Sequence, residues 1–428
     1  MKLNIYKVKK ISGTINIPGD KSVSHRSLIL GSIARGEMII ENFLFSDDCL
    51  RTLECLRNLG VEIQITENNL VRIKGKGLHG LREPKIVLDV GNSGTTIRLL
   101  AGLLSGQQFY SVLDGDSSIK KRPMKRIVEP LRLMGAQIFG REDSNFAPLS
   151  INGSQISAIS YSMPVASAQV KSAIMLAGLF AAGETVINEP LCSRDHTERM
   201  LGVLQADIEV NPFEIKIRGG KELQNTDIII PGDISSAAYF IAAASVLKGS
   251  DILIKSVGIN PTRTGILEIL KKMGAKIDIL NYKIISNEPQ ADLRIKYSEL
   301  KGMEIGKEII PSIIDELPLL AVVATQAKGK TVIKGAGELR VKETDRIKAI
   351  VDELKKMNAD IIERADGFIV NGPTTLHGGV FSSHNDHRIA MSLSIAGLLA
   401  QNQSIIENSE CINISFPGFE QVLQYLIE

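Results

Sequence analysis

Small and apolar residues run together along this chain, alternating with β-branched stretches, and the alternation repeats. Residues 27–43, 95–113, 171–187, 237–254, 317–333 and 389–406 each read as an apolar helix, a turn and a strand. Glycine stands at five of these turns, Gly36, Gly106, Gly183, Gly249 and Gly329, and Asn402 at the sixth; both residue types let a chain reverse after a helix. A second element follows in the same order: an amphipathic helix, a turn and a strand, in LRNLGVEIQI, LRLMGAQI, MLGVLQADIEV, LKKMGAKIDI and LKKMNADIIE. Its turns fall at Gly60, Gly135, Gln205, Gly274 and Asn358, with intervals of 75, 70, 69 and 84 residues. That period is too long for a solenoid, so six mixed α/β supersecondary units are expected.

The sixth unit is cut short, because after Phe416 and Pro417 a last helix runs to Glu428 and no strand follows. The opening IYKVKKISGTINIP reads as two short strands without a helix. They would complete the sixth unit if the chain ends met, placing residues 1–19 with 231–428 in one domain and 20–230 in the other, three units each. A length of 428 residues exceeds what one hydrophobic core usually supports, which also predicts two domains. The unit helices are too apolar for a surface, so each is expected in the core.

Composition narrows the function. Lys and Arg number 50 against 48 Asp and Glu, so no global basic field gathers nucleic acid, and 4% aromatic residues without tryptophan offer little for stacking bases. Cys49, Cys55, Cys192 and Cys411 form no CxxC or zinc spacing, and the basic, polar first ten residues lack a signal-peptide apolar region. The longest apolar runs, 173–182 and 237–247, are too short for a membrane helix. A cytoplasmic protein that binds no membrane is expected, with any anion site local.

The helix starts supply such sites. Capping residues open them: Ser22 and Ser24, Asn92 and Ser93, Ser167, Asp233 with Ser235, Asp315, and Asn385 with Asp386. A helix N-terminus carries about half a positive charge and free N–H groups. Cations cluster at the same joints: Lys21, Arg26, Arg98, Arg122, Lys171, Arg194, Lys342, Arg346 and Arg388. Arginine beside glycine or proline at several starts suits bidentate capture of carboxylate and phosphate, and six starts converging would make a trap for anions. Lys120, Lys121, Lys125 and Arg126 read as a solvated face, and Asp233 as a plain cap. Asp315 and Glu343 lie among the cations and suit proton exchange; which is acid and which base is not set by their position. None of the six histidines makes an HxxxH or HExxH pattern, so no metal is expected, and the glycines of residues 75–81 make no phosphate loop, which disfavours a nucleotide.

PGDKSVSHR, GNSGTTIRLLAG, DGDSSIKKRPM, SAQVKSA, SRDHTERM, GDISSAAYF, DELPLLAVVA, LRVKETDR and NDHRIAM follow in order across the chain. With these nine motifs the chain resembles the 5-enolpyruvylshikimate-3-phosphate synthases. The resemblance implies the enolpyruvyl transferase fold: a two-domain inside-out α/β barrel, helices inside and sheets outside, of six βαβαββ units. It implies transfer of the enolpyruvyl group of phosphoenolpyruvate to the 5-hydroxyl of shikimate 3-phosphate, by a monomer without a cofactor. Lys21, Ser22, Arg26, Ser167, Ala168, Gln169, Arg194, Asp315 and Lys342 would meet shikimate 3-phosphate. Lys21, Gly94, Arg122, Gln169, Arg346 and Arg388 would meet phosphoenolpyruvate. Asp315 would take the hydroxyl proton, Glu343 or Lys21 would protonate the methylene carbon, and domain closure would exclude water.

Two departures stand out. Ala168 replaces a second serine, and Ile414 replaces a lysine that many members place against phosphoenolpyruvate. SAQVK, KRPMKR and NPTRTG resemble the class II variants; with Gly94 retained, glyphosate is expected to compete with phosphoenolpyruvate. The related UDP-N-acetylglucosamine enolpyruvyl transferases open with Lys-Asn where this chain has Lys21-Ser22, and carry a loop cysteine absent between Cys55 and Cys192. A non-catalytic RNA or phosphate-ligand module, on the pattern of RNA 3′-terminal phosphate cyclases, is disfavoured by the charge and aromatic content.

Overall fold

The computed structural model describes residues 1–427; Glu428, the expected end of the last helix, lies outside them, and that helix spans Phe419–Ile427. The chain forms two compact units, one of Met1–Pro18, Pro231–Ile284 and Pro289–Glu428, the other of Gly19–Ile230 and Ile285–Glu288. The four residues Ile285–Glu288 belong to the second because Asn287 donates to the Arg199 carbonyl at 3.1 Å and Glu288 meets His196 Nδ1 at 2.7 Å.

In the second unit three helices, Lys21–Ile33, Gly94–Ser105 and Ala168–Gly178, form the centre and are buried along nearly their whole length. Small residues allow this. A Cβ on Gly102 would stand 2.3 Å from the Ala173 carbonyl oxygen, so the Gly94 and Ala168 helices touch backbone to backbone. Each helix feeds a strand, Glu37–Glu41, Tyr110–Asp114 or Glu184–Asn188, whose residues alternate between buried and more exposed positions. Each strand pairs antiparallel with a later one, Val71–Lys74, Phe146–Asn152 or Glu214–Arg218, and parallel with a short one, Ile228–Ile229, Leu88–Asp89 or Ser160–Ser162. Three four-stranded sheets thus cover a helical centre.

The first unit repeats the plan around Ile234–Val246, Leu317–Ala324 and His387–Leu399. Two of its sheets have four strands and the third has three. In that third sheet Ser404–Glu407 pairs antiparallel with Lys2–Ile5 and parallel with Val380–Ser382. The first strand of the chain thus holds the place taken elsewhere by the later antiparallel strand. Ser12–Asn16 joins a different sheet, parallel to Asp251–Gly258.

Ten of the eleven turn positions read from the sequence have positive φ, including Gln205 at 62°, Asn358 at 69° and Asn402 at 66°. Gly106 is the exception, with φ of −91°. Glycine is required there by space, since a Cβ would lie 2.4 Å from the Phe180 ring.

Candidate active site

The helix starts of the second unit assemble one group of charged side chains. Asp20, rather than Ser22 or Ser24, caps the Lys21 helix, accepting the Val23 N–H at 2.9 Å; both serines lie inside the helix, which begins earlier than their pattern suggests. Ser93 caps the Gly94 helix through the Thr96 N–H at 3.1 Å, and Ser167 caps the Ala168 helix through Val170 at 3.5 Å. These caps fix the first turns, which carry Gly94, Ala168 and Gln169, with Arg98 in the turn that follows. Arg98 donates to Gln169 Oε1 at 2.6 Å and to the Pro123 carbonyl at 3.2 Å, while Arg122 donates to the Asn92 carbonyl at 3.4 Å. A Cβ on Gly94 would sit 2.7 Å from one Arg122 nitrogen and 2.8 Å from one of Arg98, so glycine leaves room for both guanidinium groups.

Lys21 Nζ lies 3.1 Å from Asp48 Oδ2. Arg26 is buried and donates to Thr197 Oγ1 at 2.6 Å, Ser172 Oγ at 2.8 Å and the Ser22 carbonyl at 3.0 Å. Arg194 is half-buried, two residues before the His196–Val203 helix. Lys171 departs from the expected anion-binding set. Its ammonium is buried between Glu189 and Glu198, 2.6 Å from an oxygen of each, so the fold itself neutralises the charge.

The first unit assembles a second group. Asp315 does not cap a helix: the Leu317–Ala324 helix has Glu316 at its N-cap, without a side-chain cap bond. The Asp315 carboxylate instead faces two guanidinium groups, Arg346 at 3.3 Å and Arg388 at 3.4 Å, and the Asp315 carbonyl accepts from Arg388 at 3.3 Å. Arg346, 1% exposed, also donates to Asp386 at 2.8 Å and Glu343 at 2.6 Å. Burial works against both guanidinium charges, but the carboxylates outweigh it: Asp386, Glu343 and Asp315 raise the Arg346 pKa, and Asp315 and Glu316 help raise that of Arg388. Lys342 pairs with Glu338 at 3.3 Å, and burial holds its pKa below the ordinary lysine value. Ile414 ends a short 3-10 helix and packs on the apolar core, adding no charge.

Three contributors carried no sequence signal for their roles. Asp386 was expected as a cap and is one, accepting the Arg388 N–H at 2.8 Å, but it also orients Arg346 from forty positions away. Glu316 is buried, bonded to the Ser235 hydroxyl and 3.7 Å from Arg388. Asp48 pairs with Lys21 across 27 positions. Asp233, expected as a plain cap, accepts the Ser235 N–H at 2.8 Å and also meets Arg263 at 3.2 Å. Among the described residues no group of three His, Cys, Asp or Glu could hold a metal, and no helix is long and apolar enough to cross a membrane.

Chemically, the group of the second unit combines guanidinium forks with buried helix starts, an arrangement suited to phosphate and carboxylate, whereas in the first unit Arg346 and Arg388 are engaged by four carboxylates, Asp315, Glu316, Glu343 and Asp386. The Asp315 group adds carboxylates capable of proton transfer. Residues 5–423 match the family described as EPSP synthase (3-phosphoshikimate 1-carboxyvinyltransferase). A 3-phosphoshikimate 1-carboxyvinyltransferase of Brevibacillus brevis is 52% identical over 421 residues, covering 98% of this chain and 99% of its own. One of Desulforamulus reducens is 51% identical over 427 residues and the whole of both chains. The solved EPSP synthase of Acinetobacter baumannii superposes with a TM-score of 0.89 at 46% identity, covering 99% of this chain and 98% of that one. The enolpyruvyl transferase NikO of Streptomyces tendae shares the fold at a TM-score of 0.82 and 18% identity, over 100% of this chain and 96% of that one. Matched from end to end in sequence and in architecture, the chain belongs to the EPSP synthase family.

Proposed function

We propose that this protein transfers the enolpyruvyl group of phosphoenolpyruvate to the 5-hydroxyl of shikimate 3-phosphate and releases phosphate. The observation that carries the reading is Asp315 held between the buried guanidinium groups of Arg346 and Arg388, in a chain whose relatives bear this activity in their names. A carboxylate fixed by two forks has one orientation, which a general base needs.

In this reading Lys21, Ser22, Arg26, Ser167, Gln169, Arg194, Asp315 and Lys342 hold shikimate 3-phosphate, beside the methyl of Ala168. Lys21, Gly94, Arg122, Gln169, Arg346 and Arg388 hold phosphoenolpyruvate. Asp315 accepts the 5-hydroxyl proton as that oxygen attacks C2, and Glu343 or Lys21 delivers a proton to the methylene carbon, which becomes a methyl. The tetrahedral intermediate then loses phosphate as its C–O bond breaks, and a methyl proton leaves to restore the double bond. Guanidinium groups placed in advance stabilise the charge on the departing phosphate without reorganising.

The two compact units serve as the two domains, and the enzyme works as a cytoplasmic monomer without nucleic acid or membrane. Four free cysteines and a net charge of +2 support that setting. Phosphate release from purified protein given phosphoenolpyruvate, with and without shikimate 3-phosphate, tests the activity. Release that needs both substrates is expected; none with both present sinks the reading. Light scattering behind a sizing column checks the monomer, and a dimer mass would overturn it.

A further inference from the structure

Lys171 lies in the first turn of the Ala168–Gly178 helix, yet its ammonium faces away from water, with 2% of the side chain exposed. Nζ reaches Glu189 and Glu198, each at 2.6 Å, and donates to the Ser193 carbonyl at 3.4 Å. Glu189 Oε2 accepts the Ser193 N–H at 3.2 Å and the Ser193 hydroxyl at 2.5 Å. Every hydrogen-bonding group of Ser193 is thus tied to Lys171, directly or through Glu189. The peptide planes on both sides of Ser193 are fixed, and Arg194 is the next residue.

Ser172 and Thr197 make an adjacent stitch: their hydroxyls lie 2.7 Å apart, and each accepts from Arg26. The segment 193–198 is bound to the helix at two neighbouring positions.

Stability alone does not explain this arrangement. Apolar side chains of similar volume commonly replace a buried ion pair with no loss of stability. Here burial raises the Glu198 pKa, and Glu198 Oε2 has no hydrogen-bond partner. An apolar plug would spare that strain, but it would not supply directional bonds to a peptide group.

We propose that Lys171 is a positioning residue for Arg194, acting through Glu189 and Ser193 to fix the backbone from which the guanidinium that binds shikimate 3-phosphate projects. The reference frame is the helix that also carries Ser167 at its cap and Gln169 in its first turn. The inference rests on the reading of Arg194 as a substrate ligand.

The test is a double-mutant cycle in the full chain with Lys171→Met, Arg194→Gln and both together, read as KM for each substrate and as amide exchange over residues 189–196. Lys171→Met should raise KM for shikimate 3-phosphate about tenfold or more, leave KM for phosphoenolpyruvate within about twofold, and speed exchange at Ser193, whose N–H Glu189 accepts. In the Arg194→Gln background it should add no further rise, because the ligand it orients is gone. Lys171→Arg should restore part of the loss. Equal losses in both backgrounds, or unchanged exchange at Ser193, overturn the positioning role. An Arg194→Gln enzyme with unchanged KM overturns the ligand reading itself, and the role of Lys171 falls with it. If Lys171→Met does not fold, Glu189→Leu removes both acceptor oxygens, and with them the bonds from Ser193, at similar volume, and the same outcomes decide.

Discussion

Replacing Gly94 by alanine adds one methyl group, and the structure says what it meets. Its Cβ would stand 2.7 Å from an Arg122 nitrogen and 2.8 Å from an Arg98 nitrogen, where ordinary contact begins at 3.4 Å. Each guanidinium must retreat by roughly 0.6–0.7 Å, or one must leave. Both are the far ends of long side chains, so the fold can accommodate the change and the melting temperature should fall by no more than about 3 °C. Binding cannot adapt so easily. Arg98 holds Gln169 at 2.6 Å and Arg122 is anchored on the Asn92 carbonyl, so the retreat disturbs hydrogen bonds to charged groups on two neighbouring helix starts. Such a bond contributes about 1.5–3 kcal/mol, equal to roughly 10–150-fold in affinity. KM for phosphoenolpyruvate should therefore rise by about 10–100-fold, while KM for shikimate 3-phosphate changes less. Steady-state kinetics with each substrate varied at saturation of the other, alongside a thermal melt, makes the comparison. A glyphosate inhibition constant that rises with phosphoenolpyruvate concentration in the parent enzyme would show the two ligands sharing this place. If Gly94→Ala leaves KM for phosphoenolpyruvate within threefold, the crowding argument fails; if it unfolds the protein, the guanidinium groups are structural rather than adaptable.

Asp315→Asn and Lys21→Met should each lower kcat by at least about 1,000-fold with nearly unchanged melting temperature; early unfolding of either would assign the residue to the fold instead. His25 is fully buried, and burial, with Lys21 and Arg26 nearby, holds its pKa well below 6.5. The unfolded chain takes up this proton below pH 6.5 and the native chain does not, so stability is lost as pH falls through that value, by up to about 1.4 kcal/mol per pH unit. His25→Gln should flatten that slope in melts between pH 5 and 7, and an unchanged slope would show that other groups set it. Cys192 is exposed while Cys49, Cys55 and Cys411 are buried, so a thiol reagent should modify one cysteine per native chain and four after denaturation. Burial raises the pKa of Cys55 and of Cys411 to about 12, and prompt reaction of either would contradict the packing.

The six-unit plan was legible in the sequence because each unit is announced locally. An apolar helix needs only its own composition to mark it as buried, and a reversal needs glycine or asparagine at one position. Gly106 was read correctly as glycine at a turn but for the wrong reason, since its φ is negative and the Phe180 ring supplies the constraint from another segment. Of the proposed site residues, Lys21, Gly94, Gln169, Arg346 and Arg388 stood out at helix starts, and the resemblance to one family supplied the roles expected of them. Their partners were not legible. Ser22 and Ser24 looked like caps as well as Asp20 does, and the first turn selected Asp20.

What the chain determined by itself was the list of helices, turns and buried faces, together with the cations at the helix starts. Tertiary structure decided which carboxylates each cation meets. Lys171 and Arg346 read alike as basic residues at helix starts, yet folding encloses Lys171 between Glu189 and Glu198 and places Arg346 against Asp315, Glu343 and Asp386. The reason is physical: helix and turn propensities act over a few residues, whereas a charge responds to whatever the fold brings within a few ångströms, from any distance along the chain.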